Sequence, residues 1–250
     1  MSKQWVLVRG IMSEAFHWGD FLPQLQAQFP ADQFHTADIL GNGRHFQHTT
    51  PLSLKKNIQA LREQAPSSGK KILLGFSLGG MLALEWAHRH PDEVEAVILI
   101  NCSLNNSPIY KRLQPLSLKN IFQSVIQKDM LRREEIIIRL TTATLPAARV
   151  QEVASAWGPR VHVHPVKPIN FLWQMFVAAQ VSQRRNPPAP VLVLASGKDR
   201  VVHPDCSHKI AKNWNIPLVK HPEAGHDLTL EDPHWVLTQV HNFLTTPRAT

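Results

Sequence analysis

Three residues in this 250-residue chain have types and positions that predict nucleophilic chemistry. Ser77 lies in "GFSLGG", with Gly75 two residues before it and Gly79 two residues after it; Asp199 lies in "SGKDRVVHP" and His226 in "PEAGHDL". A serine hydroxyl becomes a good nucleophile when an imidazole accepts its proton and a carboxylate orients that imidazole. Serine, carboxylate and histidine in this chain order therefore predict attack on a carbonyl carbon.

Six apolar runs of strand length, separated by helical patterns, predict the elements that would position these residues. The predicted strands are 4–8, 34–39, 71–76, 94–101, 190–196 and 216–221, and the predicted helices lie near 18–29, 50–65, 79–90, 205–214 and 231–246. Strands that alternate with helices favour a parallel sheet with helices on both faces. In such an open sheet, reactive groups gather beyond the carboxyl ends of the strands. The three residues each follow a predicted strand, so we expect them at one edge.

The turn around Ser77 joins a buried strand directly to a helix. Gly75 and Gly79 are expected there because so sharp a turn leaves no space for side chains and strains the serine backbone. The amino terminus of the helix 79–90 would point at the site and favour a developing negative charge. Asp199 alone would more often be a turn residue, and His226 alone a capping residue; the joint pattern predicts a catalytic triad.

The alternation of strands and helices stops between residues 104 and 189, where the sequence predicts helices at 116–129, 131–144, 147–157 and 168–183. We interpret this stretch as a helical lid inserted between two strands of a single domain that spans residues 1–250. The short alternating run "VHVHPV" at 161–166 ends at a proline and does not predict a strand.

The formal charge of +8 is concentrated in this predicted lid. Residues 104–190 hold 12 Lys or Arg against 4 Asp or Glu, and the rest of the chain holds 15 of each. Three uses of that charge stay open: solubility, steering of a small anionic ester, or docking of an acidic protein such as an acyl carrier. Nucleic acid is less favoured because no nucleic-acid module accompanies the charge.

The chain resembles the α/β-hydrolase superfamily over essentially its full length. The resemblance rests on "VRGIMSEAFHW", "DILGNGR", "GFSLGG", "GKDRVVHP" and "EAGHDLTLEDP", and the order of these motifs is similar to that of small lidded esterases, including the group that acts on pimeloyl-carrier-protein methyl ester. It implies Ser77 as nucleophile, His226 as general base and then acid, and Asp199 as the orienting carboxylate. It also implies an oxyanion hole formed by the backbone N–H groups of Leu78 and Ile11.

Two neighbouring positions leave alternatives. Met12 is the other candidate for the second oxyanion donor. Arg9 stands where relatives usually carry histidine, and two roles compete for it: a structural one beneath the oxyanion loop, or contact with an anionic substrate, since guanidinium pairs with carboxylate.

These observations predict a serine hydrolase of a carboxylic ester or thioester that works through an acyl-enzyme. Acyl transfer, carbon–carbon bond hydrolysis, and a ligand-binding protein with a vestigial triad are the alternatives. The histidines show no metal-ligand spacing, so neither a metal nor a cofactor is expected. No apolar run is long enough to span a membrane, and the amino terminus lacks a signal-peptide pattern, so the expected location is the cytoplasm.

Overall fold

The computed structural model describes residues 2–182, 186–187 and 189–246, and it contains one six-stranded parallel sheet. The strand order is β2-β1-β3-β4-β5-β6. The strands are β1 (Gln4–Val8), β2 (Gln33–Ala37), β3 (Lys71–Phe76), β4 (Val94–Ile100), β5 (Val191–Ser196) and β6 (Leu218–His221). All six predicted strands are therefore present, and their ends differ from the predicted ones by at most two residues. Together with the helices described next, this confirms the predicted α/β fold.

Each central strand is apolar on both faces because helices cover both sides of the sheet. Along β1, Val6 and Val8 face one helical layer, while Trp5 and Leu7 face the other. The first layer contains α2 (Leu54–Arg62), α3 (Leu78–Arg89) and α9 (Asp205–Trp214). The second layer contains α1 (Phe21–Gln28) and α11 (Pro233–Thr245). A short helix, α10 (Leu228–Glu231), precedes α11. Side chains that alternate between two buried layers explain why the strands read as continuous hydrophobic runs.

The connection between β4 and β5, which we call the insertion, contains five helices within its described residues. They are α4 (Ile109–Arg112), α5 (Pro115–Ile126), α6 (Met130–Thr141), α7 (Ala147–Val163) and α8 (Pro168–Gln180). Helices α6 and α7 have a small core of their own around Ile138, Val150 and Trp157. The single domain with a lid at about 104–189 stays a prediction. Two of the basic residues counted in that lid, Arg184 and Arg185, lie outside the described residues. Gln183, the predicted end of the last lid helix, lies outside them as well.

The predicted end of the third insertion helix at 157 is wrong, because α7 continues to Val163. Pro159 lies inside this helix on an exposed face, whereas Val161 beyond it is buried. A proline within a helix removes one backbone hydrogen bond. Burial of the apolar face beyond Pro159 offsets that loss, and the start of the run "VHVHPV" is consequently helical.

The strand order reverses between β1 and β3, since the chain moves from β1 outward to β2 and then returns to β3 on the other side. In open parallel sheets such a reversal leaves a crevice at the carboxyl ends of the two strands, where ligands bind. Ser77 follows β3 and Arg9 to Met12 follow β1, so both segments border this crevice. Within the described part of the chain, no helix is long and apolar enough to cross a membrane.

Candidate active site

Ser77 occupies a strained turn between β3 and α3. Its backbone has φ 53° and ψ −121°, a conformation that is costly for a residue with a side chain. The turn is held from both sides: the N–H of Ser77 donates to the carbonyl of Ile100 (2.8 Å), and its own carbonyl accepts from the N–H groups of Gly80 (3.1 Å) and Met81 (3.2 Å). The side chain is 8% exposed. The strain is consistent with a serine held in place for a chemical role.

The predicted need for glycine around Ser77 has a specific cause at each position. A Cβ atom on Gly79 would lie 2.1 Å from the carbonyl oxygen of Val8, and one on Gly75 would lie 2.3 Å from the Cα of Gly80. Both neighbours are backbone atoms, which cannot swing away as a side chain can. The close approach of α3 to β1 and β3 therefore depends on these glycines.

Asp199, His226 and Ser77 form a continuous hydrogen-bonded chain at the carboxyl edge of the sheet. Nδ1 of His226 lies 2.7 Å from Oδ2 of Asp199, and its Nε2 lies 3.2 Å from Oγ of Ser77. The other carboxylate oxygen of Asp199 accepts from the N–H groups of Val201 (2.8 Å) and Val202 (2.9 Å). The carboxylate is thus fixed by two backbone donors and fixes the imidazole in turn. This geometry suits proton transfer from the serine to the histidine.

The turn after β1 brings two candidate oxyanion donors next to Ser77. Among the described residues, neither the N–H of Ile11 nor that of Leu78 donates to another protein atom. The N–H of Met12 differs, because it donates to Oε1 of Gln174 at 2.9 Å. Met12 also has a positive φ of 56°, which turns its N–H away from the path of a regular strand. Ile11 therefore fits the role of second donor better than Met12 does.

Gln174 connects α8 of the insertion to this turn through a buried hydrogen-bond network. Its Nε2 donates to Oδ1 of Asn42 (2.7 Å) and to Oγ1 of Thr50 (3.2 Å), and Asn42 donates onward to the carbonyl of Ser13 (2.9 Å). Gln174 and Asn42 are both 0% exposed. Two consecutive residues of the turn, Met12 and Ser13, are thereby tied to one side chain of the insertion. The sequence offered one signal for this network: Gln174 is one of few polar residues in an apolar helix.

Arg9 borders the same cavity as Ser77 and forms a buried ion pair with Asp227. Its Nη2 lies 2.5 Å from Oδ2 of Asp227, and its Nη1 donates to Oγ1 of Thr229 at 3.0 Å. The guanidinium stacks over the rings of Trp18 (4.9 Å) and Phe76 (4.5 Å). Burial alone would raise the pKa of Asp227, but the Arg9 charge and its hydrogen bonds lower that pKa overall. The contacts match the structural alternative; contact with an anionic substrate stays a prediction.

Two further residues position the histidine loop and were missed by the sequence analysis. Asn101, at the end of β4, has a φ of 52° and donates to the carbonyl of His226 at 2.6 Å. Glu231 accepts from the N–H groups of Gly225 (2.7 Å) and Ala143 (2.9 Å), which joins the loop to the insertion. Asn101 thus holds the backbone of the catalytic candidate His226 from the neighbouring strand end.

Two cavities meet at Ser77. The larger encloses about 910 Å³, partly open to solvent, and is lined by Ser77, His226, Ile11 and side chains from α5, α6, α7 and α8. The second is predominantly apolar and is bounded by Leu78, Met81 and residues of α4 and α8. An ester has two parts that leave its carbonyl in different directions, and two cavities on either side of one serine would accommodate both. Within the described residues, no group of His, Cys, Asp or Glu side chains is arranged to hold a metal ion.

A sequence profile of the alpha/beta hydrolase family matches residues 5–239, which is most of the chain. The protein belongs to the alpha/beta hydrolase family. The match extends from β1 to α11 and therefore includes every segment of the site described above.

Curated relatives in this family include pimeloyl-[acyl-carrier protein] methyl ester esterases. That of Edwardsiella ictaluri is 33% identical over 149 residues, which cover 58% of this chain and 54% of the relative. That of Klebsiella pneumoniae is 31% identical over 150 residues, again 58% and 54%. The chain thus spans about half the length of the curated relatives it matches.

Solved structures with the same fold are more distant in sequence. A 2-hydroxy-6-oxo-6-phenylhexa-2,4-dienoate hydrolase from Rhodococcus sp. strain RHA1 has a TM-score of 0.74 at 19% identity, covering 98% of this chain and 91% of the other. A carboxylesterase from Bacillus subtilis has a TM-score of 0.66 at 17% identity, covering 99% and 85%. These similarities show the fold.

Proposed function

We propose that the protein is a serine hydrolase that cleaves a carboxylic ester or thioester through an acyl-enzyme. The hydrogen-bonded chain from Asp199 through His226 to Ser77 is the observation that carries this proposal. His226 removes the proton from Ser77 as its Oγ attacks the carbonyl carbon, and the oxygen of the tetrahedral intermediate accepts from the N–H groups of Leu78 and Ile11. His226 then protonates the departing alcohol or thiol, and water attacks the acyl-enzyme with His226 again as base.

Hydrolysis of p-nitrophenyl esters from acetate to decanoate tests this proposal. Loss of one triad member commonly lowers kcat by about 10⁴-fold or more, so Ser77→Ala should be inactive across the series. Ser207→Ala is a matched control, because Ser207 is a buried serine in α9 that lines neither cavity. Activity that survives in Ser77→Ala, or that is lost equally in Ser207→Ala, would contradict the assignment.

We also infer that the ester is presented by an acidic carrier protein, for two reasons. The curated relatives carry names that specify an ester on acyl-carrier protein, and the positive charge of this chain lies in the insertion. Several of those charges are already paired within the protein, including Lys111 with Asp205 (2.6 Å) and Arg139 with Glu135 (2.7 Å). Others, such as Lys119 and Lys128, form no ion pair in the described part of the chain.

The salt dependence of kcat/KM distinguishes a positive charge that docks a carrier protein from one that only keeps the protein in solution. Exposed charges are screened over about 8–10 Å at physiological ionic strength, so kcat/KM for a carrier-bound ester should fall steeply with salt. The matching free methyl ester should be nearly insensitive. Equal salt responses for the two substrates would argue against a docked carrier.

A further inference from the structure

We infer that the larger cavity recognises a hydroxyl group on the substrate through Glu134 and His17. The inference rests on the proposed function and names the class of ester that the same site takes. Glu134 lies on α6 and His17 follows the turn after β1, and both side chains line the cavity that contains Ser77. Most of the other lining side chains are apolar or already hydrogen-bonded, so this pair stands out as a polar site within the cavity.

The Glu134 carboxylate is buried without a hydrogen bond. The residue is 5% exposed, and its carboxylate oxygens accept no hydrogen bond from the described residues. Nε2 of His17 lies 3.7 Å from Oε2 of Glu134, which is too long for a direct hydrogen bond. A buried carboxylate normally has several hydrogen-bond partners, because leaving it unpaired is costly. Here the open side of the group faces the cavity.

The tautomer of His17 follows from its backbone contacts. Its Nδ1 lies 3.1 Å from the N–H of Glu14, which has no other acceptor in the described structure. It also lies 3.2 Å from the carbonyl of Glu14, but that carbonyl already accepts from the N–H of His17 at 3.0 Å. Nδ1 therefore accepts from Glu14, and in the neutral ring the proton is on Nε2. The ring is held between Phe16 (4.0 Å) and Trp157 (4.8 Å), so it has little freedom to turn.

An acceptor and a donor 3.7 Å apart match the two hydrogen-bonding capacities of a hydroxyl group. A hydroxyl between them would donate to the Glu134 carboxylate and accept from Nε2–H of His17. A methyl group in the same place would leave both protein groups unpaired. Sites that hydrogen-bond a substrate hydroxyl discriminate strongly against analogues that lack it. A terminal carboxylate would be repelled by Glu134, although the half-buried Arg133 beside it also lines the cavity and could attract such a group.

The hydroxyl could belong to either part of the ester, and matched substrates distinguish the two. Methyl alkanoates are compared with methyl ω-hydroxyalkanoates of four to eight carbons, and alkyl acetates with the corresponding diol monoacetates, by proton release. Monomethyl esters of dicarboxylic acids form a third arm. We expect at least a tenfold higher kcat/KM for one hydroxylated series at its best chain length. Equal or better turnover of the unsubstituted esters, or a preference for the carboxylate-ended esters, would overturn the inference.

Variants at two adjacent glutamates show whether Glu134 carries the preference. Glu134→Met should remove the hydroxyl preference while raising kcat/KM for the unsubstituted ester, a reversal that general damage to the fold would not produce. Glu134→Gln retains an acceptor oxygen and should keep part of the preference. Glu135→Gln is the control, because Glu135 pairs with Arg139 and does not line the cavity. An equal loss on both substrates in Glu134→Met and Glu134→Gln would refute the assigned role.

Binding separates failure of this inference from failure of the proposed function. Ser77→Ala is titrated by calorimetry with the hydroxylated and unsubstituted esters, with and without Glu134→Met. If wild-type protein hydrolyses no ester yet Ser77→Ala binds the hydroxylated ester more tightly in a Glu134-dependent way, the proposed function fails and the inference stands. If esters are hydrolysed but neither turnover nor binding favours a hydroxyl, the inference alone fails.

Discussion

Replacing Arg9 with Met should destabilise the protein in a pH-dependent manner. Arg9 and Asp227 are each 4% exposed, and the substitution leaves the Asp227 carboxylate buried with no cation beside it. Breaking a buried ion pair from one side costs about 3–5 kcal/mol. With a Tm shift of about 2–4 °C per kcal/mol for a chain of this size, the expected drop is roughly 6–20 °C at pH 7. Thermal unfolding followed by circular dichroism measures it.

The sign of the pH dependence follows from Asp227. In the wild type its folded pKa lies below the ordinary value of 3.8, so the pair stabilises the fold above that pH and the stabilisation is lost as pH falls. In Arg9→Met the largest effect that lowers the pKa of Asp227 is lost, so burial, which raises it, is opposed only by the Thr229 and Leu230 contacts and by His226. The deficit in the variant's free energy of unfolding, relative to the wild type, should therefore be largest at neutral pH. It should shrink towards pH 4, where the Asp227 carboxyl of the variant becomes protonated. A deficit that is the same at both pH values would refute the reasoning.

A double-mutant cycle and a pair of substrates complete the test. Removing both charges, in Arg9→Met with Asp227→Leu, should cost less free energy of unfolding than either single change, because no buried charge is left alone. Strictly additive losses would show that the two residues are not coupled. Since Asp227 follows His226, the single variants should lose activity on neutral and acidic esters alike. A selective loss on acidic esters would instead support direct contact of Arg9 with substrate.

Two substitutions and one labelling measurement probe the turn around Ser77. Gly79→Ala places a Cβ against the carbonyl of Val8 and displaces the end of β1. The kcat should therefore fall by about 10²-fold or more, as it does when one oxyanion donor is lost. An unchanged kcat would contradict the packing argument. Gln174→Met leaves the Met12 N–H unpaired and should lower the free energy of unfolding in urea by about 2–4 kcal/mol. A loss below about 1 kcal/mol would show that the hydrogen bonds of Gln174 do not stabilise the fold. Cys102, whose pKa burial raises to about 12, should not react with a thiol reagent until the protein unfolds.

The sheet and the three candidate catalytic residues were predictable because their signals are local. Each strand is a short apolar run, and Ser77, Asp199 and His226 each come shortly after the end of one. Strand ends were less predictable, since the last residue of β4 depends on where Asn101 turns to a φ of 52°. Its side chain donates to Ser196 and to the backbone of His226, and neither partner is near it in sequence.

The groups that support the site could not be predicted because their partners are distant in the chain. Arg9 pairs with a residue 218 positions away, and Gln174 with one 162 positions away. Asn170 and Gln174 lie four residues apart in a helix whose other residues up to Ala179 are apolar, so the helical period places them on one face. Both are completely buried. That spacing was the available signal for the network, and only the fold shows which backbone groups it satisfies.

The insertion contributes to the construction of the candidate site and does not simply lie over it. Through Gln174, α8 holds the turn that carries the Ile11 N–H; from the other side, the carbonyl of Thr141 at the end of α6 accepts from the N–H of Asp227 at 2.7 Å. A rigid movement of α6 and α8 away from the sheet would break both contacts, and with them the placement of the turn after β1 and of His226. Any opening that admits substrate without dismantling the site must therefore leave these two helices in place.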